Sequence, residues 1–155
     1  MAKHPKKKIK TGGPYVATAV LCERVLHERD NTVSLIRIVD RLTVSASAEA
    51  PEEMPPVHVN NLTAFLSFKA GFARGKYQVT LRPVAPSGAV LPEVSMPAFF
   101  EGDERGVQHQ IALALQLHEE GLYWFEVLIE GAVLTRMPLR ILYQRVALMA
   151  PMTTS

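Results

Sequence analysis

Residues 121–143 constrain this chain more than any other stretch, because they read as one β-hairpin. Two apolar, partly alternating runs, Gly121-Leu-Tyr-Trp-Phe-Glu-Val-Leu-Ile129 and Val133-Leu-Thr-Arg-Met-Pro-Leu-Arg-Ile-Leu-Tyr143, flank a glycine-containing turn. The odd positions of the first arm are Tyr123, Phe125, Val127 and Ile129. Those of the second are Val133, Met137, Leu139 and Ile141, with Thr135 among them. A three-residue turn at Glu130-Gly131-Ala132 sets these odd positions on a common side and places Glu126 opposite Arg136. A two-residue Glu130-Gly131 turn instead sets Phe125 against Arg136 and mixes the faces, because one residue of slip inverts a strand. The three-residue register, or its equivalent with a bulge near Pro138, is therefore expected.

The even positions form an unusual outer face. Leu122, Trp124, Leu128, Leu134 and Leu142 share it, interrupted by Glu126, Arg136 and Arg140. A strand surface facing solvent is ordinarily more polar. Either another part of the chain, such as residues 89–100 or the C-terminal tail, covers this face, or it meets a protein partner or a second copy. Leu122, Trp124, Leu128, Leu134 and Arg136 are the candidate contact residues, since Trp and Arg are what binding hot spots are made of.

At 155 residues and 48% apolar, the chain suits one domain with a substantial core. Its net charge of +2 is an average over two unlike parts. Residues 1–13 contain Lys3, Lys6, Lys7, Lys8 and Lys10 and no acid, and read as a disordered basic arm; the remainder carries 12 Lys/Arg against 15 Asp/Glu. Those lysines are the candidate contacts for nucleic acid or another anionic surface, in weak, salt-sensitive binding. The single cysteine, Cys22, lies in an apolar run and rules out an internal disulfide, which suits a reducing compartment. No apolar run approaches the roughly 20 residues of a helical membrane span, and no apolar segment follows the lysines as in a secretory signal. A cytoplasmic location is expected.

The rest of the chain reads as strands and turns. Tyr15–Leu26 and Val33–Ala46 form a hairpin in which Glu23 pairs with Arg37, Val25 meets Leu35 and Cys22 meets Ile38. Both of its faces are largely apolar, which suits central strands of a covered sheet. Pro51, Pro55 and Pro56 mark a loop. His58–Lys69 alternates Leu62, Ala64, Leu66 and Phe68; Lys76–Val84 alternates Tyr77, Val79 and Leu81; and 89–100, with Pro92 and Pro97, belongs at an edge. Residues 107–118 are rich in the helix formers Ala and Leu, yet Ile111, Leu113, Leu115 and Leu117 recur at every second position, so the segment is expected to be a strand. About eight strands and no helix predict an all-β, antiparallel two-sheet sandwich over residues 14–145, immunoglobulin-like or C2-like, with a loosely held tail over 146–155.

Three segments together carry a resemblance. They are Val20-Leu-Cys-Glu23 followed by Ser34-Leu-Ile-Arg-Ile-Val-Asp40; Gly75-Lys-Tyr-Gln-Val-Thr-Leu81 followed by Pro86-Ser-Gly88; and the 121–139 hairpin. In this order and spacing the chain resembles a bacterial β-sandwich domain family of unknown function, over most of residues 15–142. The resemblance implies a small self-contained sandwich and transfers no active site. It makes Arg37 and Asp40 family positions without an assigned purpose.

Catalytic constellations are missing. The sequence holds no glycine-rich phosphate loop, no nucleophile elbow, and no histidines at metal-ligand spacing among His4, His27, His58, His109 and His118. Two loops carry acids, Glu28/Asp30/Asn31 and Glu101/Asp103/Glu104, but salt bridges to Arg29 or Arg105 account for them more simply than calcium. Glu119-Glu120 reads as a solvated corner, and Cys22 as a small buried hydrophobe. The sequence thus favours a non-enzymatic interaction or accessory module without cofactor. Nucleic-acid association through the lysine arm is the first alternative, and an enzyme or ligand binder with a loop-built site the second.

Overall fold

The computed structural model describes residues 12–147, which form nine strands and no helix. They are β1 (Tyr15–His27), β2 (Val33–Ile38), β3 (Arg41–Ser47), β4 (Val57–Lys69), β5 (Arg74–Val84), β6 (Val94–Glu101), β7 (Gly106–Leu117), β8 (Gly121–Ile129) and β9 (Ala132–Val146). A four-stranded sheet has the order β2-β1-β4-β7, and a five-stranded, curled sheet the order β3-β9-β8-β5-β6. With no helix among these residues, none is long and apolar enough to cross a membrane. The five lysines of the arm and residues 148–155 of the expected tail lie outside the described residues.

Alternation decides the core. Leu62, Ala64, Leu66 and Phe68 on β4 and Ile111, Leu113, Leu115 and Leu117 on β7 face Tyr123, Phe125, Val127 and Ile129 on β8 and Met137, Leu139 and Ile141 on β9. No polar or charged residue is fully buried among the described residues. Residues 107–117 are a strand because each inward side chain finds the opposing sheet, a gain that outweighs the local preference of Ala and Leu for helix. At one end the core closes on aromatics: Phe68 meets Phe100 edge-on at 6.4 Å, and Tyr77 meets Phe100 at 5.3 Å.

The β8–β9 register is the expected one over most of its length, with Glu126 opposite Arg136 and Phe125 opposite Met137. The turn differs. Ile129 pairs with Ala132, leaving the two-residue Glu130-Gly131 turn, whose φ values of 50° and 79° are those of a type I′ turn matched to strand twist. The slip this turn introduces is absorbed by a bulge at Leu134, between the Leu128–Val133 and Val127–Thr135 pairs, and not near Pro138. The bulge also redirects Leu134, which packs against the core, so it leaves the outer face it was expected to share.

The first hairpin keeps the expected pairs Cys22–Ile38 and Val25–Leu35, and Arg37 Nε lies 2.8 Å from Glu23. Its second arm is not one strand. Arg37 has φ 54°, and the chain changes sheets at Val39-Asp40. Val39 N donates to Leu21 O in one sheet and Asp40 O accepts from Arg140 N in the other, each at 2.8 Å. The chain then continues as β3 alongside β9, and this pair is parallel, so the sandwich is not wholly antiparallel and has nine strands instead of eight. Of the hairpin's two strands only β1 is central, between β2 and β4, since β2 is an edge. Its doubly apolar character has another cause. Beyond Cys22, β1 leaves β4 and folds back over the outer face, so that His27 Nε2 comes 2.9 Å from Gln110 Nε2 on β7. Cys22 and Phe65 beneath it are fully buried.

Both ends of the domain are more tightly held than the sequence suggests. Gly12 and Gly13, expected in the arm, dock on the β4–β5 turn, where Phe72 N donates to Gly12 O at 2.7 Å. A Cβ on Gly71, which has φ 56°, would collide with the Gly12 carbonyl. Val146, expected in the tail, is the last residue of β9 and pairs with Ser47.

Two outcomes follow for stability. Phe125→Ala opens a cavity at a fully buried site and is expected to cost about 3–5 kcal/mol in urea unfolding, while Trp124→Ala, at a half-buried outer position, costs clearly less; equal losses would show that both faces are core. His109 packs against Phe68 at the aromatic end with its Nε2 buried and unpartnered, and burial pushes its pKa below the usual value. The folded state therefore resists a proton that the unfolded chain accepts, so this contribution to stability is intact above about pH 6.5 and is lost as pH falls below it. Urea midpoints measured at about pH 7.5 and 5.5 should drop for the wild type and drop less for His109→Leu; an unchanged slope in the variant would exclude His109 as the cause.

A candidate contact face on the five-stranded sheet

Charge is sorted by position in this fold. Among the described residues, ten of the 12 Lys/Arg outside the arm lie in strands, but only Glu23, Glu101 and Glu126 of the 15 acids do. The loops are therefore acidic and the sheets basic, which the near-neutral average conceals. Much of the basic charge falls on the outer face of the five-stranded sheet.

Cross-strand pairing builds this face row by row. Arg41 on β3, Arg140 on β9 and Leu122 on β8 form one row, and Pro138, Trp124 and Val84 on β5 form the next. Arg136, Glu126 and Arg82 follow, then Val133, Leu128 and Thr80. Leu122 and Trp124 are half-buried and Leu128 is buried, whereas Arg41, Arg136 and Arg140 are exposed. The face is an apolar island with guanidinium groups around it.

Two interactions fix the island. The Arg136 guanidinium lies 4.2 Å above the Trp124 ring, a cation–π contact worth about 0.5–1 kcal/mol at an exposed site. Glu126 pairs with Arg82 at 2.6 Å, not with Arg136 directly opposite. Flanked by two arginines, Glu126 satisfies the one on β5, and Arg136 is left to stack. Among the described residues Arg41 and Arg140 have no side-chain ion pair or hydrogen bond, and Arg136 has only the tryptophan.

Of the candidate contact residues, the structure thus brings Leu122, Trp124, Leu128 and Arg136 together and turns Leu134 away. Of residues 89–100, one proposed cover, Val90 bridges to Val84 on β5 and residues from Val94 onward belong to the edge strand β6, two strands from β8 and not over it. Sequence reasoning missed Arg41 and Arg82. Neither carries a local signal, because each reaches the face only through a pairing partner far away in the chain.

The remaining candidates are occupied by structural work. Burial pushes the Cys22 thiol up, away from the reactive thiolate. Asp30 is held low by the Thr32 hydroxyl and amide, Glu28 accepts from the Ser34 hydroxyl, and neither bonds Arg29. In the other acidic loop Glu101 pairs with Arg105 at 2.6 Å, Asp103 lies 3.4 Å from Arg74, and Glu104 accepts from the Tyr15 hydroxyl, which raises the Tyr15 pKa. Glu119 and Glu120 accept the Ser87 and Tyr143 amides and tie the corner before β8 to its neighbours. No three His, Cys, Asp or Glu side chains converge as metal ligands among the described residues.

A shallow groove of about 300 Å³ between β5 and β6 is lined by Lys76, Tyr77, Gln78, Ser95, Met96 and Pro97 and contains no acid–base pair. No curated protein matches the chain. A family model does: DUF6941, described as a family of unknown function, matches residues 17–142, from β1 into β9 and across all three segments that carry the resemblance. A match over that much of the sequence makes this protein a member of the DUF6941 family, whose function is unknown.

Proposed function

We propose that the domain is a non-enzymatic, immunoglobulin-like interaction module that takes an acidic protein segment on the outer face of its five-stranded sheet. The observation carrying this reading is the Arg136–Trp124 stack beside Arg41 and Arg140, three guanidinium groups without an acid partner bordering half-buried apolar surface. Such a face supplies both the aromatic anchor and the unspent charge that binding hot spots use.

Two features favour immunoglobulin-like over C2-like. The orders β1-β4-β7 and β9-β8-β5-β6 follow strands A-B-E and G-F-C-C′ of an immunoglobulin domain. The Tyr123 hydroxyl, at the start of β8, donates to the Glu119 carbonyl four residues upstream at 2.7 Å, the arrangement of a tyrosine corner. Phe125 stands where a disulfide-forming cysteine would follow that tyrosine, and with Cys22 alone the fold relies on apolar contact. This fits a cytoplasmic location, where disulfides are rare.

The same arginines support a second reading, association with nucleic acid or another anionic polymer, in which Lys3, Lys6, Lys7, Lys8 and Lys10 add to the face. One experiment separates the two. Capture from the native cell, with identification by mass spectrometry, is run with wild type, Trp124→Ala and Arg136→Ala. Both variants are expected to stay folded and to weaken an acidic protein partner by about 2 kcal/mol or more. Identical partner sets for all three proteins would dismiss the face as the contact. Retention of nucleic acid that falls steeply between about 50 and 200 mM salt would favour the second reading.

A further inference from the structure

The four sheet edges are unequally protected. Strand β6 carries Pro97, β2 is six residues long and bent by the positive φ of Arg37, and β3 is seven residues long and begins with Arg41. Prolines, charges, bends and short length are the usual means of stopping an edge from pairing with another chain. Strand β7 has none of them. It runs for 12 residues, Gly106-Val-Gln-His-Gln-Ile-Ala-Leu-Ala-Leu-Gln-Leu117, without proline, lysine, arginine or acid. It pairs with β4 along its whole length, the one irregularity being a bulge on the β4 side between Val59 and Leu62, and no strand pairs with its other side among the described residues.

We infer that β7 pairs antiparallel with β7 of a second copy, across a two-fold axis at Ala112. The sequence of the strand is nearly symmetric about that residue. Reading outward, Ile111 meets Leu113, Gln110 meets Ala114, His109 meets Leu115, Gln108 meets Gln116 and Val107 meets Leu117. Apolar inward positions oppose one another except at His109, and amides or alanines oppose one another on the outward side. No like charges meet, which is the usual obstacle to self-pairing. The contact is isologous, as a closed dimer requires, and joins two four-stranded sheets into one continuous sheet with on the order of ten inter-chain backbone hydrogen bonds. His27 meets Gln110 from the outer side, and the Trp124 face lies on the other sheet. The dimer is therefore independent of the contact proposed for that face.

Sedimentation of the full chain at about 100 µM tests the inference, with an expected mass about twice the 17.2 kDa of one chain. Ala112 is exposed, so Ala112→Lys and Ala112→Glu should fold; each alone should weaken the dimer at least tenfold by setting like charges at the axis, and an equimolar mixture should restore it. A second measurement fixes the register and stands if either charged variant misfolds. Residues opposite at a two-fold axis have Cα atoms about 4.5–5.5 Å apart, within disulfide range, so Ala112→Cys should oxidise to a covalent dimer. Ala114→Cys should not, because its two copies lie roughly 13 Å apart along the strands. Cys22 is buried and does not compete. A monomeric wild type, a dimer unaffected by Ala112→Lys, or equal cross-linking at 112 and 114 would each overturn the pairing.

Discussion

The dry contact between the inner faces of the two sheets is what the other features depend on. Phe68 and the leucines of β4 and β7 have no partner within their own sheet that removes them from water. They are buried only because β8 and β9 present Tyr123, Phe125, Met137 and Leu139 across the gap. Because no polar or charged residue is fully buried there among the described residues, the contact is largely non-directional, and it fixes which face of each strand points inward more firmly than it fixes where strands end. That freedom is visible at Leu134, where a bulge adjusts the strand without exposing the core, and at Val39-Asp40, where the chain leaves one sheet for the other.

Once the inward faces are committed, charge has few places to go. Acids cluster in the turns, where Asp30, Glu119 and Glu120 accept backbone amides that strands do not satisfy. Arginines, whose long stems lie along apolar surface while the head stays in water, take the outward strand positions. The basic face around Trp124 follows from this division of labour, and the single acid on it near Trp124, Glu126, is engaged by Arg82. What distinguishes the face is the pairing that remains unmade.

Much of the fold was legible in the sequence because its governing signal is local. Period-two alternation in residues 62–68, 111–117 and 123–129 identified strands and their buried sides, even where alanine and leucine favoured helix. The registers that set Glu126 opposite Arg136 and Cys22 opposite Ile38 could be read from opposing charges and apolar matches in neighbouring arms. The β-sandwich class and the family resemblance rest on the same local patterns.

What only the tertiary structure decided is whatever depends on strands distant in sequence. The parallel β3–β9 pair, the burial of Phe65 under a folded-back hairpin, and the arrival of Arg41 and Arg82 on the Trp124 face have no periodicity or spacing to announce them. Even the ion pair of Glu126 depended on which arginine, Arg82 on β5 or Arg136 on β9, offered the better geometry, and both choices were compatible with the sequence. Alternation specifies the face a side chain occupies; neighbours on that face are specified by sheet order, which is set by the packing of the whole chain.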